Sequence, residues 1–343
     1  ISLTNQYVYQ AIEEKLPSSY SITVAGAAFQ WESIFSITST NDIITYIPLA
    51  ANRLRGVVTE LPRYFGYDFY STTGGEATSN SRYLVERQID ASASYKALSD
   101  AQDYYYTPVG GSGGSTVVRT ADLGDLRRLV TMRQVARDDS VFSVMIKFTS
   151  ANIPLYRTAA VYLRLAEALN RAGYPRFAFQ ILKQGVNNSV IENEVIPYYE
   201  ADADWIRTFD FPNVLYVLET TANMQAENTT GLHSRGCGYS AYNDAYVLPD
   251  DSTITDSLAR RDYQMERVEE LIVDEEALEL AFEGQRFYDL MRVALRRNKP
   301  AFLADRVYAR KGNGQRADIQ ADLADPQNWY MQWNGKIGLD KKE

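Results

Sequence analysis

The segment "LYRTAAVYLRLAEALNRAG", residues 155–173, constrains the fold more than any other part of the chain. Its apolar residues recur at the spacing of helical turns and form one continuous stripe, made by Leu155, Ala159, Tyr162, Leu163, Ala166 and Leu169. A stripe with a period of about 3.6 residues covers one face of an α-helix. The segment therefore predicts a helix that packs its apolar face against a core.

A second helix follows the first almost at once. Gly173 suits the left-handed conformation that ends a helix, and Pro175 suits the first turn of the next helix. That second helix, "PRFAFQILKQG", is expected to end at Gly185. Two helices and a tight turn within residues 153–186 are close to the tetratricopeptide unit of about 34 residues, so we predict a tetratricopeptide-like hairpin.

One hairpin cannot bury its own apolar face, so it needs a partner. Residues 262–298 offer one, a second helical motif with a row of apolar side chains at Val268, Leu271, Leu278 and Phe282. Gly284 interrupts this motif and predicts a kink or a break into two helices. The small Ala159 and Ala166 of the first helix would let a neighbouring helix approach closely.

The remaining segments show less periodicity. "WESIFSITS", residues 31–39, alternates as a half-buried strand would, and residues 41–80 are rich in aromatic and turn-forming residues, which indicates an ordered loop. Residues 186–258 predict short elements between long loops, and Trp329 and Trp333 would anchor an extended tail. The predicted fold is mainly α, with tetratricopeptide-like hairpins, long ordered loops and a few short strands.

Composition excludes several classes of function. The 35 Lys and Arg residues against 44 Asp and Glu residues give a net charge of -9, which argues against a nucleic-acid partner. No apolar run approaches the roughly 18 residues that a membrane-spanning helix needs. The single cysteine excludes an intramolecular disulfide.

The loop "LHSRGCGYSAYND" holds the only histidine, His233, and the only cysteine, Cys237. A thiolate beside an imidazole is a common nucleophile, but this pair has no third residue to orient it and supplies at most two metal ligands. We expect Arg235 to make polar contacts to carbonyls or carboxylates, and Cys237 to be a small buried residue. No cofactor is expected, although the oxygen-rich loops "NTTG", "YNDAY" and "PDDST" leave calcium open.

Paired carboxylates raise the alternative of a secreted glycoside hydrolase. Glu276, Glu279 and Glu283 would share one helical face. Arg286 and Arg292 follow closely enough to pair with them, which favours a salt-bridged scaffold over a catalytic pair.

Sugar binding needs flat apolar rings together with directional hydrogen-bonding groups. The chain has 25 Tyr against 13 Phe, an excess of rings that carry a hydroxyl. The loop of residues 41–80 supplies both kinds of group, and later loops supply two further rings as rim platforms. The candidate ligand-binding residues are Asn41, Asp42, Tyr64, Tyr67, Tyr70, Asn80, Trp205 and Tyr239.

Two motifs carry a resemblance to a known family. "IPLYRTAAVYLRLAEALNRAG", residues 153–173, and "VDEEALELAFEGQRFYDLMRVAL", residues 273–295, resemble the SusD/RagB family of nutrient-binding outer-membrane lipoproteins. "WESIFSI" and the "DLRR" element at residues 125–128 resemble further segments in the family's order. The resemblance covers most of residues 31–331 and departs at the front, where members usually carry a signal peptide, a lipidated cysteine and N-terminal helical repeats.

The resemblance implies a single SusD-like domain over residues 1–343, partial at its N-terminus. It implies a cell-surface protein, lipid-anchored at the outer membrane through an anchor outside this chain. Its function would be to capture an oligosaccharide or polysaccharide without catalysis and to deliver it to a SusC-like TonB-dependent transporter. Peptide capture, as in RagB-like proteins, stays open as an alternative, and so does a purely structural helical-repeat adaptor.

Overall fold

The computed structural model describes the chain in separate stretches. They are residues 35, 42–50, 56–68, 83–84, 89–103, 105–106, 118–119, 124–137, 140–145, 147–148, 152–209, 231–237, 245–310 and 316–330. Two predicted features lie outside the described residues. They are the strand at residues 31–39, of which only residue 35 is described, and the anchor at Trp333.

The described residues are mainly helical, as predicted. The α-helices are α1 (Leu61–Tyr64), α2 (Ala93–Asp100), α3 (Leu126–Thr131), α4 (Thr158–Arg171), α5 (Pro175–Lys183), α6 (Asn188–Val190), α7 (Ala203–Arg207), α8 (Ser257–Glu279), α9 (Arg286–Arg296), α10 (Ala301–Tyr308) and α11 (Ala317–Leu323). Shorter helical turns lie between these helices and after α11. One is a π-helical turn at Ile191–Val195, and the others are 3-10 turns at Ile196–Tyr198, Glu200–Asp202, His233–Cys237 and Pro326–Trp329.

The strands form antiparallel pairs. They are β1 (Ile43–Ile47), β2 (Tyr67–Asp68), β3 (Tyr83–Leu84), β4 (Tyr105–Tyr106), β5 (Val118–Arg119), β6 (Met132–Arg137), β7 (Ser140–Met145) and β8 (Ile153–Arg157). Strand β1 pairs with β8, β2 with β3, β4 with β5 and β6 with β7. The segment predicted as one ordered loop, residues 41–80, therefore contains β1, α1 and β2, because pairing with distant strands supplies order that local periodicity does not show.

Helices α4 and α5 form the predicted helical hairpin, but the prediction was wrong for Leu155, which lies in β8 and is 53% exposed, because pairing with β1 keeps residues 153–157 extended and α4 begins at Thr158. Gly173 has a φ of 96° and Gly185 a φ of 83°, so both adopt the left-handed conformation expected after a helix. Pro175 stands in the first turn of α5, where its missing N–H costs nothing. The buried faces of both helices join one core, in which Ala166 and Phe177 are fully covered.

Helix α8 closes this core from a distant part of the chain. Asp256 caps its first turn, since the carboxylate accepts a hydrogen bond of 2.8 Å from the backbone N–H of Ala259. Val268 and Ile272 then pack against the hairpin. The hairpin therefore has the helical partner that its apolar face requires.

The predicted break at Gly284 is confirmed. Helix α8 ends at Glu279, and α9 begins at Arg286. Gly284 between them has a φ of 79°, a left-handed conformation that glycine adopts without strain. The second helical motif is therefore two helices joined by a turn.

A second core lies against α8 as well. Val273 of α8 packs there with Leu290 of α9, Phe302 of α10 and Trp329. The indole N–H of Trp329 donates to the carbonyl of Leu323 at 2.7 Å, which fixes the predicted anchor within a 3-10 turn. No helix among the described residues has the length and apolar character needed to cross a membrane.

Candidate functional site

A buried set of charged side chains joins the early, middle and late parts of the chain. We call it the ionic cluster, and its members are Asp42, Asp125, Arg127, Lys147, Arg157, His233, Arg235, Glu275, Glu279 and Glu283. Buried charges are retained when they are paired and hydrogen-bonded. The partners inside this cluster therefore decide whether it is a scaffold or a reactive site.

Arg127 links α3 to α8. Its guanidinium binds Asp125 at 2.6 Å, Glu275 at 2.6 Å and Glu279 at 2.8 Å. Asp125 also caps α3, because its carboxylate accepts from the backbone N–H of Arg127 at 2.9 Å. Burial opposes the charge of Asp125, but Arg127 outweighs burial and lowers the pKa of that carboxyl group. The "DLRR" element thus joins two helices through its aspartate and its first arginine.

Arg157 ends β8 and meets carboxylates from two other parts of the chain. Its guanidinium donates to Asp42 at 2.6 Å, to Glu279 at 3.1 Å and to Glu283 at 2.8 and 2.9 Å. Asp42 also accepts from the backbone N–H of Ala159 at 3.0 Å, so its carboxylate stabilises the start of α4. These contacts join the residue before β1, the start of α4 and the turn after α8.

Lys147 stabilises the turn between α8 and α9. Its ammonium group donates to Glu283 at 2.7 Å and to the carbonyl of Ala281 at 2.8 Å. Burial lowers the pKa of Lys147 to about 8, although Glu283 partly opposes the shift. Phe282, between these two partners, has a φ of 67°, an uncommon value for a bulky side chain. The contacts of Lys147 thus flank the residue that carries this backbone strain.

Glu279 is the centre of the ionic cluster. It accepts from Arg127, Arg157 and Arg235. Burial alone would raise the pKa of Glu279, but Arg235, Arg157 and Arg127 together lower it to about 2. A carboxylate held ionised by three arginines cannot serve as a general acid near neutral pH. The salt-bridged scaffold predicted for this acidic face is therefore confirmed at Glu279.

The loop of His233 is part of the same scaffold. Its ring Nδ1 lies 2.8 Å from a carboxylate oxygen of Glu275, and its ring stacks on Tyr246 with centroids 3.8 Å apart. Arg235 makes the predicted carboxylate contact, at 2.8 Å from Glu279. The side chain of Cys237 lies outside the described residues, so its predicted burial stays a prediction.

A glycine holds this loop against the hairpin. An added Cβ at Gly231 would stand 2.1 Å from the carbonyl oxygen of Leu182 in α5, so only glycine fits there. The backbone N–H of Leu232 donates to the carbonyl of Ile181 at 3.3 Å. The hydroxyl of Ser234 donates to the carbonyl of Lys183 at 2.8 Å. The loop is thereby fixed to the end of α5 before it reaches the ionic cluster.

A second charged network binds α4 to α8 and α9. Arg292 donates to Glu167 at 2.8 Å and to Glu276 at 3.1 Å. Arg164 of α4 pairs with Glu276 and Asp289. The predicted partnership of Glu276 with Arg292 is confirmed.

Arg286 pairs differently from the prediction. Its guanidinium donates to the carbonyl of Val273 at 2.6 Å, and none of the ion pairs among the described residues includes it. Glu279 and Glu283 instead pair with basic residues from earlier in the chain. The expectation of Arg286 as their partner was wrong, because the turn after α8 directs its side chain toward a different part of that helix.

Aromatic rings gather where α5 begins and α7 lies beside it. We call this set the aromatic platform, and its members are Tyr174, Tyr198, Tyr199, Trp205 and Phe209. Trp205 is 43% exposed and Tyr198 is 57% exposed. Trp205 contacts Tyr174 at a centroid distance of 5.1 Å and Phe209 at 4.8 Å. These neighbours fix the indole without covering it.

Polar groups surround the aromatic platform. The hydroxyl of Tyr174 donates to Asp202 at 2.9 Å, and the guanidinium of Arg176 stacks 3.5 Å from the ring centre of Tyr198. The hydroxyl of Tyr199 accepts from the backbone N–H of Arg176 at 3.3 Å. The platform thus presents flat rings beside a carboxylate and a guanidinium, groups that can bind sugar hydroxyls.

The predicted binding residues do not gather at one place. Trp205 belongs to the aromatic platform, and Tyr64 is 44% exposed at the end of α1. Asp42 corrects the expectation of an open polar contact, because it is 3% exposed and its carboxylate binds Arg157 and the start of α4. The remaining candidates, namely Asn41, Tyr70, Asn80, Tyr239 and the Tyr67 side chain, lie outside the described residues.

Sequence reasoning missed Tyr198 and Arg176. The signal was present in "IPYYE" and "YPRF", where a ring or a basic residue adjoins a proline-marked turn. Neither segment is periodic, so nothing local showed that the two would meet.

Comparison with known protein families gives a match in the last third of the chain. Residues 246–336 match the sequence model of the SusD family. This segment contains α8, α9, α10 and α11, together with the three glutamates of the ionic cluster. The searches of curated proteins and of solved structures gave no significant match.

Proposed function

We propose that this chain, whose residues 246–336 match the model of the SusD family of nutrient-binding outer-membrane proteins, binds an extracellular glycan at the aromatic platform. The two exposed rings, Trp205 and Tyr198, are the observation that carries this proposal. Pyranose rings offer C–H faces that stack on indole and phenol rings, while their hydroxyls form hydrogen bonds with charged groups beside the rings.

The geometry of the aromatic platform suits capture better than chemistry. Asp202 already accepts from Tyr174, and Arg176 is stacked on Tyr198, so both polar groups are held in place before a ligand arrives. The carboxylates of the ionic cluster are buried among cations and cannot reach a glycosidic bond at this surface. We therefore propose binding without turnover.

A second contact region is part of the proposal. Tyr64 is exposed in the segment that leads to Tyr67, Tyr70 and Asn80, and Tyr239 follows His233 within the segment "LHSRGCGYSAYND". We propose that these residues form a second contact region for the same class of ligand. Asp42 is left out of this set, because its carboxylate stabilises α4.

Delivery completes the proposed function. A surface capture protein needs an import route, and we propose a SusC-like TonB-dependent transporter as the partner. We also propose that the protein stands at the cell surface, lipid-anchored in its full-length form. Copurification with membranes that contain such a barrel would test the partnership, and its absence at matched expression levels would contradict it.

A panel of glycans tests the ligand class. Native gels cast with single polysaccharides should retard the protein for at least one of them, and no reducing ends should appear on incubation. The affinity measured by gel retardation should fall about tenfold or more in Trp205→Ala, since loss of a stacking ring removes one of the main contacts. Tyr288→Ala is the matched control, because Tyr288 is 56% exposed on α9 and does not belong to the aromatic platform.

Three outcomes would contradict the proposal. Release of reducing ends that depends on one carboxylate would indicate a hydrolase. Binding heat on titration with oligopeptides, together with no binding to any glycan of the panel, would favour peptide capture. A loss of binding in Tyr288→Ala equal to that in Trp205→Ala would remove the aromatic platform as the site.

A further inference from the structure

A cavity of about 490 Å³ lies between α2, α8, α9 and α10. Its volume falls within the range of roughly 300–1,000 Å³ that is usual for small-molecule sites. None of its lining residues belongs to the aromatic platform or to the ionic cluster. Much of the lining is apolar, and it includes Leu98, Ala277, Phe282, Phe287 and Leu290.

One carboxylate of the cavity lining, that of Asp274, lacks a hydrogen-bonded partner among the described residues. Asp274 of α8 lines the cavity and makes no hydrogen bond or ion pair through its side chain with any residue that the structure describes. Burial raises the pKa of Asp274, and the nearby Arg286 and Arg306 offset this only in part. Asp274 is partly buried, and a carboxylate in such surroundings gains from a cationic donor, because a hydrogen bond then replaces the water that burial removes.

A guanidinium with unused donors faces the same cavity. Arg286 uses Nη1 for the carbonyl of Val273 and has no carboxylate partner within the described part of the chain. Arg306, the neighbouring cation, is already engaged: it donates to Glu270 at 2.6 Å and stacks 3.6 Å from the ring centre of Phe302. Arg286 is therefore better placed than Arg306 for an incoming anion.

We propose that this cavity binds a free α-amino acid with an apolar side chain. The ammonium group would pair with Asp274 and the carboxylate with Arg286, while the side chain would lie against Phe287 and Leu290. An apolar molecule alone would leave Asp274 unpaired, and an anion alone would bring a like charge toward it. The zwitterion is the ligand class that matches Asp274, Arg286 and the apolar lining together.

Calorimetric titration of the whole chain with L-phenylalanine and L-leucine tests the proposal. At least one of them should bind. Both 2-phenylethylamine and 3-phenylpropanoate should bind about tenfold or more weakly than the amino acid, because each lacks one charged group. Asp274→Asn should lose affinity for the amino acid by a similar factor. Asp262→Asn is the matched control, since Asp262 is exposed on the same helix.

The analogue series keeps the test decisive even if a variant folds poorly, because it uses the wild-type protein. Equal binding of the amino acid and both analogues would overturn the proposal, and so would the absence of heat with both amino acids. Unchanged affinity in a folded Asp274→Asn would overturn it too. The inference does not rest on glycan capture, which concerns a different surface and is read out by gel retardation.

Discussion

At the scale of single residues, Glu279 is the side chain on which most of the buried charge depends. Three arginines from three distant segments donate to it, and it is fully covered. Such an arrangement is stable only while the carboxylate is present, because each arginine would otherwise be buried with less compensation. One substitution therefore tests whether the ionic cluster holds the fold together.

Glu279→Gln should destabilise the protein by about 3–5 kcal/mol, the usual cost of breaking a buried ion pair. The amide keeps the shape of the side chain and removes its charge, so packing changes little. The measurement is the free energy of unfolding from urea denaturation near neutral pH. Glu266→Gln, an exposed position on the same helix, is the control and should change stability by less than about 0.5 kcal/mol. A loss in Glu279→Gln no larger than that of the control would contradict the account.

Acid should reduce the difference in stability between wild type and Glu279→Gln. The pKa of Glu279 is lowered to about 2 in the folded state from an ordinary value of 4.5. A carboxylate whose pKa is lower in the folded state than in the unfolded state stabilises the fold at pH values above its unfolded-state pKa. This stabilisation is lost as the pH falls toward its folded-state pKa. The gap in unfolding free energy between the two proteins should therefore shrink between about pH 4.5 and pH 2. A gap that stays constant across this window would show that charge on Glu279 is not the cause.

At the scale of elements, local patterns predicted the helices well. The apolar stripe of α4 is a local signal, and so are the glycines that follow α4 and α5, namely Gly173 and Gly185. The break at Gly284 is another. Caps and apolar period act within a few residues of the chain, which is why the sequence alone reveals them.

Contacts between distant segments were not predictable in the same way. Arg157 and Glu279 meet across 122 residues of chain, and no local pattern shows which carboxylate a given arginine will reach. The pairing of β1 with β8 has the same character, because a short strand is specified by its partner as much as by its own residues. At the aromatic platform, Trp205 was predicted from its residue type, whereas Tyr198 and Arg176 became visible only once the fold brought them together.

Close packing between α4 and its neighbours gives the prediction at this scale. Ala166 is fully buried in the core of the hairpin, so Ala166→Leu should force side chains apart and destabilise the protein by about 1–3 kcal/mol. Ala168→Leu is the matched control, because Ala168 is exposed on the same helix. Thermal unfolding followed by circular dichroism measures both. Equal melting temperatures for the two variants would contradict the close approach of the helices at Ala166.

At the scale of the whole molecule, the ionic cluster and the aromatic platform serve different ends. The ionic cluster joins α3, β8 and α8 to the start of β1. The ion pairs that make these connections also neutralise its buried charges. The aromatic platform packs against the core of the hairpin, and two of its rings remain exposed. A rigid support beneath exposed rings is what a capture surface requires, because little order is then lost on binding.

The most direct test of glycan capture at the aromatic platform is intrinsic fluorescence during titration with a glycan that retards the protein. The chain has 4 tryptophans, and Trp205 is the one assigned to the platform. We predict a change in emission for wild type that disappears in Trp205→Phe, while the phenyl ring keeps most of the affinity in gel retardation. The same emission change in wild type and Trp205→Phe would place the glycan elsewhere and contradict the account.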